Sequence, residues 1–117
     1  YRRVILDYHF SEFPVDVLSK ADANQIVDSM LEAKATSLLM YTKDHWGNIY
    51  SRTTQGKKHK SIDYDLFGQV LEIGKEKGLV VYAYYTVCWD EYYAREYPEW
   101  CSRDKDGNII CNNNTNK

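Results

Sequence analysis

Three short apolar runs punctuate the chain, Val4 to Leu6, Ser37 to Thr42 and Leu79 to Tyr85. They are nearly continuous rather than alternating, the pattern of parallel strands covered on both faces. Between the first two, Ala23, Ile26, Val27, Met30, Leu31 and Lys34 recur at helical spacing, and Asp22 with Gln25 three residues on reads as a capping box. Between the second and third, Leu66, Phe67, Val70, Leu71 and Gly74 mark another helix. Asp63 or Asp65 can cap its start, Lys75 and Lys77 suit its negative end, and Gly78 supplies a left-handed stop. The predicted order is β-α-β-α-β, a parallel α/β arrangement with right-handed crossovers.

The two ends of the strands differ in chemistry. Each run leaves through a cluster of versatile side chains: Asp7, Tyr8, His9 and Glu12, then Lys43, Asp44, His45 and Trp46, then Tyr85, Trp89, Asp90 and Glu91. The return connections, Ala33 to Thr36 and Lys77 to Gly78, are short and plain. Sites in parallel β/α proteins form at the carboxyl ends of the strands, so this one-sidedness points to an enzyme. A dinucleotide fold would carry a Gly-rich turn after its first strand, whereas the turn here, Asp7-Tyr8-His9-Phe10-Ser11-Glu12, has no glycine. The long stretches after the second and third strands favour a barrel, which spreads its contact residues over several βα loops. A closed (β/α)8 barrel typically takes about 250 residues. Residues 1–117, with three strand signals, therefore read as its first three units, the N-terminal part of a longer catalytic domain. The alternative, a complete small three-layer domain, would leave apolar strand edges unpaired.

Composition narrows the partners. The chain is 44% hydrophobic and 27% charged with a formal net charge of -2, so no basic excess recommends nucleic acid. No apolar run approaches the roughly 18 residues of a membrane span. Aromatics reach 15%, with eleven Tyr and three Trp, many of them in or just after the strand runs. Cys88, Cys101 and Cys111 are odd in number and widely spaced, which supports neither a disulfide framework nor a zinc pattern. Asn113-Asn114-Thr115 matches a glycosylation sequon inside an Asn-rich tail, where such a match arises by composition.

The clusters can be read one at a time. Strand alternation puts Asp7 and His9 on one face and Tyr8 on the other, which would stand His9 at the mouth of a barrel interior. A core histidine is the plainer reading. A His-x-His pair that would offer two metal ligands from one strand is missing, so no metal and no cofactor is expected. In Thr42-Lys43-Asp44-His45-Trp46-Gly47-Asn48 a charged pair, an imidazole, an indole and a carboxamide arrive together, and Gly47 permits a tight turn. That set offers hydrogen-bond partners for hydroxyls and a flat apolar face for the C–H side of a sugar ring. Along the third strand some of Tyr82, Tyr84 and Tyr85 must fill the core, with Trp89 the better candidate for stacking on a ligand and Trp100 pinning the following loop.

These residues carry a resemblance. Lys43-Asp44-His45-Trp46-Gly47 resembles the Lys-His-His-Asp-Gly motif after the second strand of alpha-L-fucosidases, and Tyr84-Tyr85-Thr86 resembles their Tyr-Tyr-Ser at the third. From the first strand through Asp104-Lys105-Asp106-Gly107-Asn108 the chain is similar to fucosidase-like glycoside hydrolases of bacteria. Asp44 stands where the fucosidases have their first histidine, Trp46 where they have Asp, and Trp89-Asp90 reverses their Glu-Trp order. The resemblance implies a (β/α)8 hydrolase that cleaves terminal glycosidic bonds. By it His9 and His45 are sugar-binding, Trp89 lines the same pocket and Lys43 supports it. It also implies a nucleophilic Asp at the fourth strand and a later acid/base residue, both beyond Lys117. Glu12, Asp44 and Asp90 are then binding or supporting carboxylates, beside Trp46 and Tyr85 as candidate substrate contacts. Two other readings stay open: a non-catalytic carbohydrate-binding barrel, and a metal-dependent barrel hydrolase or lyase using His9, Glu12, Asp44, His45 or His59.

Overall fold

A computed structural model describes residues 1–9 and 16–110 of the chain, so Glu12 and Cys111 lie outside the described residues. The elements run β1 (Arg3–Leu6), α1 (Ala23–Glu32), β2 (Ser37–Lys43), β3 (Asn48–Ile49), β4 (Lys57–Lys58), α2 (Leu66–Lys77), β5 (Val80–Tyr85) and α3 (Glu91–Glu96), with a 3-10 turn over Pro98–Trp100. Strand β2 is central and parallel to β1 and β5, Ile5 standing opposite Leu39 and Leu39 opposite Tyr82. Strands β1, β2 and β5 thus lie side by side in chain order, an order shared by barrel walls and by half of a dinucleotide-binding sheet.

Local signals set the helix ends. Asp22 caps α1 by accepting from the Gln25 amide at 2.9 Å, and Asp65 caps α2 by accepting from the Gly68 amide at 2.9 Å. Gly78 closes α2 at φ 79°, with Lys75 and Lys77 in the last turn. Lys34 plays the left-handed part after α1 at φ 59°, a role the sequence does not advertise because the residue is not glycine.

Both helices lie on one face of the sheet. Ala23 and Val27 of α1, Leu66 and Val70 of α2, and Leu38 and Met40 of β2 form one core, where each large apolar side chain contributes roughly 1.5–3 kcal/mol by leaving water. Gly74 lets α2 approach β5, since a Cβ there would meet the Val81 side chain at 2.8 Å.

The opposite face of the sheet is open among the described residues, although the continuous apolar runs suit strands covered on both faces. Ile5 is 59% exposed and Val80 51% exposed, and Tyr82, Tyr84 and Tyr85 are exposed as well. The continuous apolar pattern is present on β5, but among the described residues no second layer meets it. The stretch after β2 also differs from an open loop. Strand β3 turns back antiparallel to β2, with Ile49 opposite Lys43, and β4 pairs parallel to β3. These strands are two residues each, too short for a periodic signal.

Candidate active site

The cluster after β2 is built by its turn. The Asp44 amide donates to the Asn48 carbonyl at 3.1 Å, the Gly47 amide donates to the Asp44 carbonyl at 3.3 Å, and Gly47 sits at φ 86°. The Asp44 carboxylate is fully buried and accepts from the Asn48 amide at 2.9 Å, the Asn48 side-chain amide at 3.1 Å and the Tyr50 hydroxyl at 2.6 Å. The same pattern recurs over Asp104 to Asn108. There the Asp104 carboxylate takes the Asn108 amide at 2.9 Å and its side chain at 3.2 Å, and Gly107 sits at φ 85°. Asp-x-x-Gly-Asn is therefore a turn unit in this chain. In the first copy the two middle residues are His45 and Trp46.

A second device fixes the turn from the other side. The Lys43 ammonium is 2% exposed and pairs with the Asp90 carboxylate at 2.7 Å, while donating to the Thr86 carbonyl at 2.8 Å. Asp90 also caps α3 through the Tyr93 amide at 2.9 Å, and the Glu91 amide donates to the His45 carbonyl at 2.9 Å. A Cβ on Gly47 would lie 2.5 Å from the Tyr92 Cβ. Strand β2, its turn and α3 are thus locked together around a buried charge pair, which is strongly destabilising to break from one side.

Above this base the rings gather. His9 and His45 stand with ring centroids 4.8 Å apart, His45 lies 4.2 Å from Trp46 and 5.0 Å from Trp89, and His9 lies 4.3 Å from Tyr41. Tyr41 in turn meets Tyr84 at 4.3 Å. The Asp7 carboxylate lies 2.6 Å from Nδ1 of His9. Because a carboxylate can only accept, it holds a proton on Nδ1 and leaves Nε2 as the acceptor of the neutral ring. Burial lowers the His45 pKa, and the neighbouring His9 lowers it further, against the opposing pull of Asp44, Glu91 and Asp7. The result is a neutral imidazole at pH 7 that can donate from one nitrogen and accept at the other. Two imidazoles and two indoles in contact provide hydrogen-bond partners and flat apolar faces together, the combination that an amphipathic sugar ring matches.

The residues expected at the site separate into groups. His9, His45, Trp46 and Trp89 come together as one cluster. Lys43, Asp44 and Asp90 sit beneath it and are turned inward, so their polar atoms organise the loops. Their inward turn follows from the turn and cap geometry, which takes up the oxygens and the ammonium within the chain. Tyr85 lies with the Lys43 ammonium 5.0 Å from its ring centroid, and Glu12 lies outside the described residues. Asp7, expected on the face of His9 and in the same strand-end cluster, is the carboxylate that orients it, whereas two members of the cluster wall, Tyr41 and Tyr84, were not among the expected contacts. Alternation along β1 and β2 is the signal that could have found them, since Tyr41 shares the face of Ile5 and Leu39. His59 is 1% exposed, stacks on Tyr50 at 5.3 Å and lies 2.8 Å from the Ser61 hydroxyl through Nδ1. It is a core histidine. Among the described residues no three His, Cys, Asp or Glu side chains are grouped so as to hold a metal ion. Trp100, expected to pin the following loop, is 68% exposed and stacks on Tyr97 at 4.3 Å. Cys88 and Cys101 are free thiols.

Comparison with known proteins agrees with this chemistry. The family described as "Hypothetical glycosyl hydrolase 6" matches residues 22–117. The solved structure of alpha-L-fucosidase isoenzyme 2 from Paenibacillus thiaminolyticus superimposes with a TM-score of 0.81 at 31% identity, over 92% of this chain and 16% of that one. This chain therefore spans about a sixth of the length of that fucosidase. No curated protein matches the sequence significantly. By these matches the chain belongs to the hypothetical glycosyl hydrolase 6 family and is alpha-L-fucosidase-like in sequence and fold.

Proposed function

We propose that this chain forms the substrate-binding wall of a (β/α)8 hydrolase that releases a terminal sugar, in the manner of an alpha-L-fucosidase. The single observation that carries the reading is the convergence of His9, His45, Trp46 and Trp89 at the carboxyl ends of three parallel strands. The uncovered face of the sheet supports the barrel, because Ile5, Tyr82 and Tyr84 occupy the rows that point inward when such a sheet closes. In this reading β1, β2 and β5 are the first three barrel strands.

The division of labour follows from the geometry. His9, oriented by Asp7, and neutral His45 hold sugar hydroxyls, while Trp46 and Trp89 offer faces to the ring's C–H side. Lys43, Asp44 and Asp90 keep the two loops in place. A retaining glycosidase needs two carboxyl groups about 5–5.5 Å apart across the scissile bond. Asp44 and Asp90 are occupied by hydrogen bonds and an ion pair inside the protein, so the nucleophile and the acid/base residue are assigned to other parts of the full-length enzyme.

The test is a panel of aryl glycosides presented to the full-length enzyme. Release of alpha-L-fucose, or of another terminal sugar, is the expected result. Sugar binding without turnover of any glycoside would favour the non-catalytic carbohydrate-binding barrel instead.

A further inference from the structure

A cleft of about 380 Å³ opens beside the ring cluster, between the β2–β3 turn and α3, lined by Trp46, Asn48, Lys57, Tyr92, Arg95 and Glu96 among others. We propose that this cleft binds the sugar on the leaving-group side of the scissile bond, a neutral sugar unit. The inference rests on the glycosidase reading above and specifies the substrate: a disaccharide or longer glycan.

The cleft is continuous with the ring cluster. The Trp46 indole lies 4.2 Å from His45 and 6.1 Å from His9 between centroids, and the same residue lines the cleft. One side chain therefore borders both the ring cluster and the cleft, as a residue between two adjoining sugar sites must. The cleft's size falls within the roughly 300–1,000 Å³ of small-molecule sites.

The lining gives the ligand class. Its ionisable groups are Lys57 and Arg95 against Glu91 and Glu96, two of each sign, so the wall has no net charge to attract an anionic or cationic sugar. Carboxylates accept from hydroxyls, guanidinium donates to them, and the Trp46 and Tyr92 rings supply apolar area. Arg95 is presented at the rim, 74% exposed and paired with Glu91 one helical turn before it. Glu96 is exposed beside it. Both can reach a bound sugar without leaving the core short of a partner.

The experiment compares two substrates of the full-length enzyme that share the same terminal sugar: a disaccharide, and the corresponding glycosyl fluoride, which has no leaving-group sugar. In Arg95→Ala and in Glu96→Gln the ratio of kcat/KM for the disaccharide to kcat/KM for the fluoride is expected to fall about tenfold, the effect of one lost hydrogen bond to a charged group. A ratio unchanged in both variants, with both substrates turned over, would overturn the cleft assignment and leave the glycosidase reading standing. Failure of the wild type to hydrolyse either substrate would remove both.

Discussion

His45 links the local electrostatics to a measurable property. Its depressed pKa means that the folded protein resists protonating it, whereas in the unfolded chain the ring titrates near 6.5. Between the folded value and that unfolded value the unfolded state binds more protons, so stability rises with pH through this window and is lost as pH falls below about 6.5. The midpoint of thermal unfolding should therefore drop between pH 7 and pH 5 more steeply in the wild type than in His45→Asn. Parallel profiles for the two proteins would mean that the environment of His45 is not the one described. His9 and His45 were legible from the sequence as residues at strand ends. Asp44 was legible as a binding or supporting carboxylate of the same cluster, but not which of the two. The copy of its motif at Asp104 to Asn108 shows why: an Asp followed three and four residues later by Gly and Asn satisfies its own carboxylate within the turn.

Among the elements, the β2–β3 turn and α3 decide where the rings stand. Two glycines with nearly the same backbone angle separate conformational strain from crowding. Gly47 and Gly107 have φ of 86° and 85°, but a Cβ on Gly47 meets Tyr92 and Asp90 whereas a Cβ on Gly107 meets nothing within 4 Å. Gly107→Ala should cost only the left-handed strain, about 1–2 kcal/mol. Gly47→Ala should cost that strain plus displacement of α3, together at least about 3 kcal/mol. Chemical denaturation of the two variants checks the difference, and equal losses would contradict the packing of α3 on the turn. The helices and parallel strands were legible because their apolar periods run over many residues and their caps are specific. Strands β3 and β4 and helix α3 were not, since two-residue strands have no period and α3 buries none of its residues in the core.

At the scale of the whole molecule, the sheet has one covered face and, among the described residues, one open one. The covered face was legible from the positions of Leu38, Met40, Val27 and Val70. An open apolar face follows from reading these strands as three of eight in a barrel, but which residues line it was not legible, because Ile5, Val80 and Tyr82 carry the same apolar signal whichever layer meets them. That face and the outer edges of β1 and β5, unpaired among the described residues, lead to the expectation that residues 1–117, expressed alone, will self-associate and will hydrolyse no glycoside. A sharp monomer peak in sizing together with cooperative unfolding would contradict the barrel-wall account, and turnover lost on replacing Asp44 or Asp90 would return those carboxylates to the chemistry.

The most direct measurement is the kinetics of His45→Ala in the full-length enzyme. His45 stands at the centre of the ring cluster, touching His9, Trp46 and Trp89, and the account gives it one or two hydrogen bonds to the sugar. Losing them should lower kcat/KM on the terminal glycoside by about 10- to 1,000-fold. Unchanged kinetics would place the substrate somewhere other than this cluster.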